Sequence, residues 1–143
     1  MLRSSRLASF FVFCFVDSTV VILAGKPADT PDTTPAHTTA ILDRSCRDCH
    51  SNETRWPWYT NVSPTSWLVA NHVNHGREHF NYSQWTSIDE DEQDKLLGGI
   101  CSLAERSRMP LPSYLWIHRD AKLSPADVKT LCAWSEKMRD MLQ

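Results

Sequence analysis

The sequence has no excess of basic residues. Its 143 residues include 15 lysine and arginine residues against 17 aspartate and glutamate residues, which gives a formal net charge of -2 at pH 7. Nucleic-acid binding depends on clustered positive charge that neutralises phosphates, and the sequence has no basic stripe interleaved with aromatic residues. We therefore expect no nucleic-acid partner.

The chain is also too short for two ordinary domains, which usually run to roughly 100–200 residues each. It has no internal repeat, so we expect a single hydrophobic core. Six tryptophans are a heavy aromatic load for such a domain. Large aromatic side chains either wall a flat apolar cofactor or fill a core, and composition does not decide between these uses. The candidates are Trp56, Trp58, Tyr59, Trp67, Trp85, Tyr114 and Trp116.

The first 25 residues differ in character from the rest of the chain. Arg3 and Arg6 precede an apolar run at 7–16, and Asp17 interrupts the apolar character. This order is typical of an export signal, so we expect residues 1–25 to be a cleaved signal peptide. The alternative is retention as an N-terminal membrane anchor, although the run is short for a span and a charge inside it is costly.

A polar segment follows this start. Residues 26–38 are rich in proline, threonine, alanine and aspartate and have almost no apolar side chains. Such a segment cannot bury enough surface to offset its ordering entropy, so we expect a flexible linker there and a folded domain at 39–143. Lys26 stands where a lipoprotein signal would need a cysteine. Lipid anchoring at that position is therefore not expected.

The domain is predicted to be all-α, with four helices and no convincing strand. Serine followed by proline opens the second and the fourth helix, because serine caps a helix and proline suits its first position. The third helix opens in an acidic cluster, which suits the positive end of the helix dipole. The predicted helices run from about Thr39 to His50, from Ser63 to about Phe80, from the cluster at 89–94 to Ala104, and from Ser124 to Met138.

The end of the first predicted helix carries the string Cys46-Arg47-Asp48-Cys49-His50, which fits the C-x-x-C-H haem attachment pattern. Two cysteines three positions apart lie on one side of a helical turn, so both sulfurs can reach the two vinyl groups of one porphyrin. The adjacent histidine is then placed to bind the iron. Its other ring nitrogen is expected to donate to a carbonyl, which fixes the ring orientation. We predict one covalently bound haem c, attached through Cys46 and Cys49 with His50 as the proximal ligand.

Three other uses of the paired cysteines remain open. A zinc half-site would need a second pair of ligands at similar spacing, and a thioredoxin-like redox pair would need a βαβ context. Neither context is visible in the sequence. A plain disulfide between Cys46 and Cys49 is the simplest alternative in an exported chain. Haem attachment is favoured because the signal-like start accompanies the complete motif.

An electron-carrying haem needs a second axial ligand, and Met109 is the preferred candidate. It lies between the third and fourth predicted helices, far enough beyond His50 for the chain to wrap the porphyrin, and Pro110 stiffens the loop around it. Thioether ligation raises the reduction potential relative to bis-histidine iron. The other candidates are His72, His75 and His79, which share one face of the second predicted helix, and His118.

Two further cysteines, Cys101 and Cys132, lie one on each of the last two predicted helices. In an oxidising compartment they can form a disulfide that closes the loop carrying Met109. Two independent buried thiols are the alternative, and the sequence leaves both open.

The residues around the motif resemble a known family. The resemblance rests on C-R-D-C-H-S-N-E-T-R-W-P-W-Y at 46–59, S-W at 66–67 and M-P-L-P-S-Y at 109–114. These segments are similar to the bacterial haem-binding domain family of cytochrome c-like exported proteins, and the likeness covers roughly residues 40–135. The resemblance implies covalent attachment at Cys46 and Cys49 and proximal ligation by His50. Met109 sits where mono-haem cytochromes place their methionine.

These observations predict a small cytochrome c-like domain of about four helices around one haem, preceded by the signal segment and linker. We expect a periplasmic or exported electron carrier, not an enzyme, that exchanges single electrons with redox partner proteins outside the cytoplasmic membrane. Membrane association would come only through the N-terminus. One alternative is a haem-based sensor or ligand-binding module in which Met109 leaves the iron. Another is a small peroxidase, whose acid–base residue would have to come from the histidines of the second helix.

Overall fold

Helices make up the regular structure of residues 35–143, the part of the chain that the computed structural model describes, and this part contains no strand. The α-helices are α1 (Pro35–Ser45), α2 (Arg47–His50), α3 (Thr65–His79), α4 (Glu90–Glu105), α5 (Pro112–Leu115) and α6 (Pro125–Asp140). Short 3₁₀ helices lie at Trp58–Asn61, Tyr82–Ser87 and Arg119–Ala121. The predicted all-α class is confirmed. The predicted signal segment and residues 26–34 of the predicted linker lie outside the described residues.

The start of α6 has the capping pattern that the sequence predicts. The Ser124 hydroxyl accepts a hydrogen bond from the Asp127 amide at 3.1 Å, and the Asp127 carboxylate accepts one from the Ser124 amide at 2.8 Å. This reciprocal capping box satisfies two amide groups that would otherwise lack partners. The start of α4 is also as predicted, because the Asp89 carboxylate accepts from the Glu92 amide at 3.0 Å.

The predicted serine cap of the second helix is wrong. Pro64 occupies the N-cap position of α3 and no side chain caps this end. The Ser63–Pro64 peptide bond is cis, and the helix begins at Thr65. The serine–proline pair therefore marks the start of the helix to within two positions without supplying its cap.

The first predicted helix differs from the structure at both ends. It begins at Pro35, so four residues assigned to the linker are helical. Proline suits the first turn of a helix, and Thr38 and Ile41 follow at a spacing that places both in the buried interior. The helix ends at Ser45, and Cys46 leaves helical geometry before the single turn of α2. The break falls inside the predicted helix 39–50, at the first cysteine of the motif.

The hydrophobic core joins α1, α4 and α6 through Ile41, Ala104 and Leu131. The exposed fractions of these residues are 1 %, 5 % and 1 %. Burying an isoleucine or leucine side chain contributes roughly 1.5–3 kcal/mol. The buried Ser135 hydroxyl on α6 also donates to the Leu97 carbonyl on α4. The expected packing of the last helix against the first is therefore observed.

Covalent and ionic links reinforce the α4–α6 pair. Cys101 and Cys132 form a disulfide, which was one of the two predicted alternatives. Arg139 on α6 contacts both carboxylate oxygens of Asp94 on α4, at 2.8 and 3.0 Å. Among the residues that the structure describes, no helix is both long enough and apolar enough to cross a bilayer.

Candidate functional site

Cys46 is the N-cap of the single turn of α2, which carries Cys49 and His50. The Cys46 carbonyl accepts hydrogen bonds from the Cys49 amide at 3.2 Å and from the His50 amide at 3.0 Å. Both cysteines are free thiols and each is partly accessible. The turn and its cap therefore hold two thiols and one imidazole within five consecutive residues.

The His50 ring is oriented by the end of α3. Its Nδ1 atom lies 3.0 Å from the carbonyl oxygen of Phe80, the residue that ends this helix. A carbonyl oxygen only accepts, so Nδ1 carries the proton and donates. Nε2 then keeps its lone pair and is free to bind a metal. The predicted carbonyl partner of His50 is thus present, and its identity as Phe80 was not readable from the sequence.

Gly76 lets α3 approach the cysteine turn closely. A β-carbon added at Gly76 would stand 2.5 Å from the Cys49 carbonyl oxygen and 3.0 Å from the Cys49 β-carbon. Arg77 follows on α3 and donates through Nε to the Ser51 carbonyl at 2.9 Å. Glycine inside a helix is about 1 kcal/mol less favourable than alanine. Its presence inside α3 is a sequence signal for this contact, and Gly76 was not among the predicted site residues.

Asp48, between the two cysteines, is a buried carboxylate with both oxygens paired. Its exposed fraction is 8 %. Its Oδ1 atom accepts from Arg55 Nε at 3.1 Å, and its Oδ2 atom accepts from the Tyr114 hydroxyl at 2.8 Å. The Thr54 hydroxyl donates to the Asp48 carbonyl at 2.7 Å. The pairing offsets the cost of burying the charge. It connects the motif to the segment that directly follows it, through Arg55, and to distant α5, through Tyr114.

The Tyr114 side chain continues this network outward. Its ring stacks on that of His118, with centroids 4.2 Å apart and planes inclined by 9°. His118 Nε2 forms a hydrogen bond with the Tyr59 hydroxyl. His118, a predicted alternative for the iron, is therefore engaged with two tyrosines. Two of the three segments that carry the sequence resemblance, 46–59 and 109–114, meet at the hydrogen bond between Asp48 and Tyr114.

The electrostatic state of the thiols argues against a redox pair of the thioredoxin type. Burial, with a smaller contribution from Cys49, raises the pKa of Cys46 to about 12. Burial and then the Asp48 charge also raise the pKa of Cys49. Redox-active C-x-x-C motifs have a lowered thiol pKa that keeps one sulfur as the reactive thiolate. Both sulfurs here are protonated at neutral pH.

A zinc site at the motif gains no support. In the described part of the chain, one group of three side chains has the spacing of a metal site: Cys101, Glu105 and Cys132. Its two cysteines are joined in the disulfide, so their sulfurs are not thiolate ligands. No second ligand pair therefore accompanies Cys46 and Cys49 within residues 35–143.

Met109 is not on the cysteine turn but on the loop that follows α4. This helix ends in a Schellman motif, in which Arg108 donates to the Leu103 carbonyl at 2.9 Å and Ser107 donates to the Ala104 carbonyl at 3.0 Å. Ser107 has the left-handed backbone that the motif requires, with φ 52°. Met109 follows with a partly buried side chain and a cis bond to the buried Pro110. Tyr114 links this loop to the turn.

The family model described as the haem-binding domain matches residues 11–137. The chain belongs to the haem-binding domain family. No curated protein and no solved structure matches the chain. The resemblance to a haem-binding family is therefore confirmed at the level of the family and its ligand.

The residues of this haem-binding domain fit its cofactor. Two free thiols stand on one turn, the imidazole has one nitrogen paired and one free, and a glycine keeps the helix beside the turn clear of side chain. This donor set suits covalent attachment and axial ligation of haem iron.

Aromatic side chains around the haem-binding domain fall into two sets. Four predicted wall residues are exposed, Trp56 at 54 %, Trp58 at 78 %, Trp67 at 73 % and Trp116 at 79 %, so they do not fill the core. Another, Trp85, lines a cleft of about 230 Å³ next to Phe80. The remaining residues of this cleft are Tyr82, Trp134 and Met138. Core packing therefore does not explain most of the aromatic load.

The α3 histidines of the haem-binding domain lie at its surface. The rings of His75 and His79 stack with centroids 6.3 Å apart, and both residues are exposed. His75 Nδ1 also lies 3.4 Å from a Glu78 carboxylate oxygen. His72 is partly buried. This face of α3 is therefore largely exposed to solvent.

Proposed function

We propose that this haem-binding domain is an exported mono-haem c-type cytochrome that passes single electrons between redox proteins outside the cytoplasmic membrane. The observation that carries the proposal is the pairing of His50 Nδ1 with the Phe80 carbonyl beside two free cysteines on the same turn. This pairing leaves Nε2 as the iron ligand. Each of the three defined positions of the C-x-x-C-H pattern thus has an available donor atom.

The proposed roles at the haem divide among four residues. Cys46 and Cys49 would hold one haem through thioether bonds, His50 would be the proximal ligand, and Met109 the distal one. When bound, haem supplies a one-electron change at iron. The protein orients His50 through Phe80 and keeps the turn against α3. A methionine sulfur as the distal ligand would raise the potential relative to bis-histidine iron.

The proposed location rests on two features. The N-terminal sequence has the order of an export signal. The Cys101–Cys132 disulfide is of the kind that persists in oxidising compartments and is rare in the cytosol. Electron transfer at a six-coordinate iron needs no acid–base residue, so the proposal assigns no enzymatic activity and no catalytic residue.

The test of the distal ligand compares two methionine variants of the haem-loaded full chain. Met109→Ala should abolish the iron–thioether charge-transfer band and lower the reduction potential. Met141→Ala, at a side chain that is 62 % exposed at the end of α6, is the control and should change neither. A band that survives in Met109→Ala would overturn the assignment. A five-coordinate spectrum in the wild type would favour the sensor alternative instead.

A further inference from the structure

The Asp48–Tyr114 hydrogen bond connects residues that are 66 positions apart in sequence. One partner lies between the two cysteines, and the other lies on α5, directly after the loop that carries Met109. The bond is 2.8 Å long, and its acceptor is a carboxylate that is 8 % exposed. Hydrogen bonds to ionised acceptors are roughly twice as strong as neutral ones, and a buried setting strengthens them further.

The chain between Met109 and Tyr114 is short and stiff. It contains Pro110 and Pro112, each of which fixes its own φ angle near -65°, and Pro110 is buried. Upstream, the Met109 amide donates to the Leu103 carbonyl at 3.3 Å, so α4 holds that side of the loop. Tyr114 holds the other side. Because this segment is short and stiff, a displacement of Tyr114 also displaces Met109.

The surroundings of Tyr114 allow its hydroxyl to be tested alone. The ring stacks on His118, which is itself bonded to Tyr59, so a phenylalanine at this position keeps the stacked packing. Burial, followed by the hydrogen bond to Asp48 and its charge, raises the pKa of Tyr114. The hydroxyl thus remains a proton donor throughout the physiological range.

From these contacts we infer that Tyr114 is a positioning residue. Its hydroxyl donates a hydrogen bond to Asp48 inside the attachment motif and thereby holds in place the loop that presents Met109 as the distal ligand. The inference rests on the proposed function. It gives the aspartate of the motif a second role, since the same residue that separates the attachment cysteines also anchors the ligand loop.

The experiment measures displacement of the distal ligand by imidazole in the haem-loaded full chain. Tyr114→Phe should bind imidazole about tenfold more tightly than the wild type, because one hydrogen bond to a charged group no longer holds the Met109 loop. Its reduction potential should fall, while covalent haem attachment stays at the wild-type level. Ser113→Ala, which removes the hydroxyl of the preceding residue on α5, is the matched control and should behave as the wild type.

A second variant separates positioning from general loss of structure. Asp48→Asn keeps an oxygen that can accept from Tyr114 but removes the charge, so its imidazole affinity should lie between those of the wild type and Tyr114→Phe. Unchanged imidazole affinity and potential in Tyr114→Phe would overturn the inference, as would loss of haem attachment in that variant. If Tyr114→Phe does not fold, an Asp48→Asn variant identical to the wild type would overturn it.

The two proposals fail in different ways. An iron–thioether band that is absent from the wild type removes Met109 from the iron, and the inference about Tyr114 falls with it. A band that is present in the wild type and equally resistant to imidazole in Tyr114→Phe leaves the cytochrome proposal intact and overturns the positioning role alone.

Discussion

Gly76 on α3 faces the carbonyl group of Cys49 so closely that a β-carbon there would stand 2.5 Å from the oxygen. Real β-carbons do not approach a carbonyl oxygen to this distance, so α3 or the cysteine turn would have to move. We predict that Gly76→Ala lowers the free energy of unfolding by about 1–3 kcal/mol, the usual cost of an overpacked contact. It should also lower the yield of haem-loaded protein, since the turn that carries both sulfurs is displaced. Denaturant titration and haem content per chain measure these effects.

Gly99 supplies the control for this prediction. It lies on α4, and a β-carbon there would meet nothing within 4 Å. Gly99→Ala should therefore stabilise the protein by up to about 1 kcal/mol through helix propensity. If both alanine variants unfold at the same denaturant concentration as the wild type, the close contact between α3 and the cysteine turn is wrong.

Ser107 offers a second test of local structure. It occupies the left-handed position of the Schellman motif with φ 52°, a conformation that costs non-glycine residues about 1–2 kcal/mol. Ser107→Gly should stabilise the protein by about 0.5–1 kcal/mol, because glycine removes the steric penalty but loses more entropy on folding. Ser107→Ala should give no such gain. Equal denaturation midpoints for the glycine and alanine variants would contradict the assigned backbone conformation.

The Asp127 carboxylate predicts a defined pH dependence. Burial opposes its ionisation, but hydrogen bonds from Ser124 and the Arg44 guanidinium outweigh this effect and lower the pKa of Asp127. A lowered pKa stabilises the folded state above the unfolded-state pKa of about 3.9, and this stabilisation is lost as the pH falls through the folded-state value. Asp127→Ala should cost about 1 kcal/mol near neutral pH, as typical for a lost cap.

The measurement is the difference in unfolding free energy between the wild type and Asp127→Ala as a function of pH. This difference should shrink as the pH falls below about 4, where the charge of the wild-type carboxylate is progressively neutralised. Glu136→Ala, at an exposed position on the same helix, is the control and should stay within about 0.5 kcal/mol of the wild type. A difference for Asp127→Ala that grows in acid would contradict the assigned pairing with Arg44 and Ser124.

The Cys101–Cys132 disulfide should contribute to stability without contributing to haem attachment. It joins residues 31 positions apart, and closing a loop of this size in the unfolded chain is worth about 3–4 kcal/mol in the chain-entropy model. Cys101→Ala with Cys132→Ala should lower the unfolding free energy by about that amount. Reductant should destabilise the wild type and leave the double variant unchanged. Equal sensitivity of both proteins to reductant would contradict the bond.

Much of the fold could be predicted because its signals are local. Caps and proline positions mark the starts of α4 and α6, and the spacing of apolar residues marks the faces that they bury. Where local signals mislead, the prediction fails. Residues 35–38 have the composition of a linker, yet Thr38 and Ile41 are buried on α1, so tertiary packing overrides composition there.

The residues that supply the donor atoms of the site could be predicted from the sequence, but the contacts that hold these residues in place could not. The motif itself indicates Cys46, Cys49 and His50, because their spacing is a local property. The Phe80 carbonyl, the glycine contact and the Asp48–Tyr114 bond join segments far apart in sequence. Periodicity and capping carry no information about such pairs, so only the fold reveals them.

Covalent attachment of haem is the central claim, and a peroxidase stain for haem on a denaturing gel tests it most directly. The full chain would be expressed in a host with cytochrome c maturation machinery, beside Cys46→Ala with Cys49→Ala and beside Cys101→Ala with Cys132→Ala as the matched cysteine control. We predict that the stain follows the wild-type band and the Cys101/Cys132 variant, and that it vanishes when Cys46 and Cys49 are replaced. An unstained wild-type band, or a stain that persists without Cys46 and Cys49, would contradict the account.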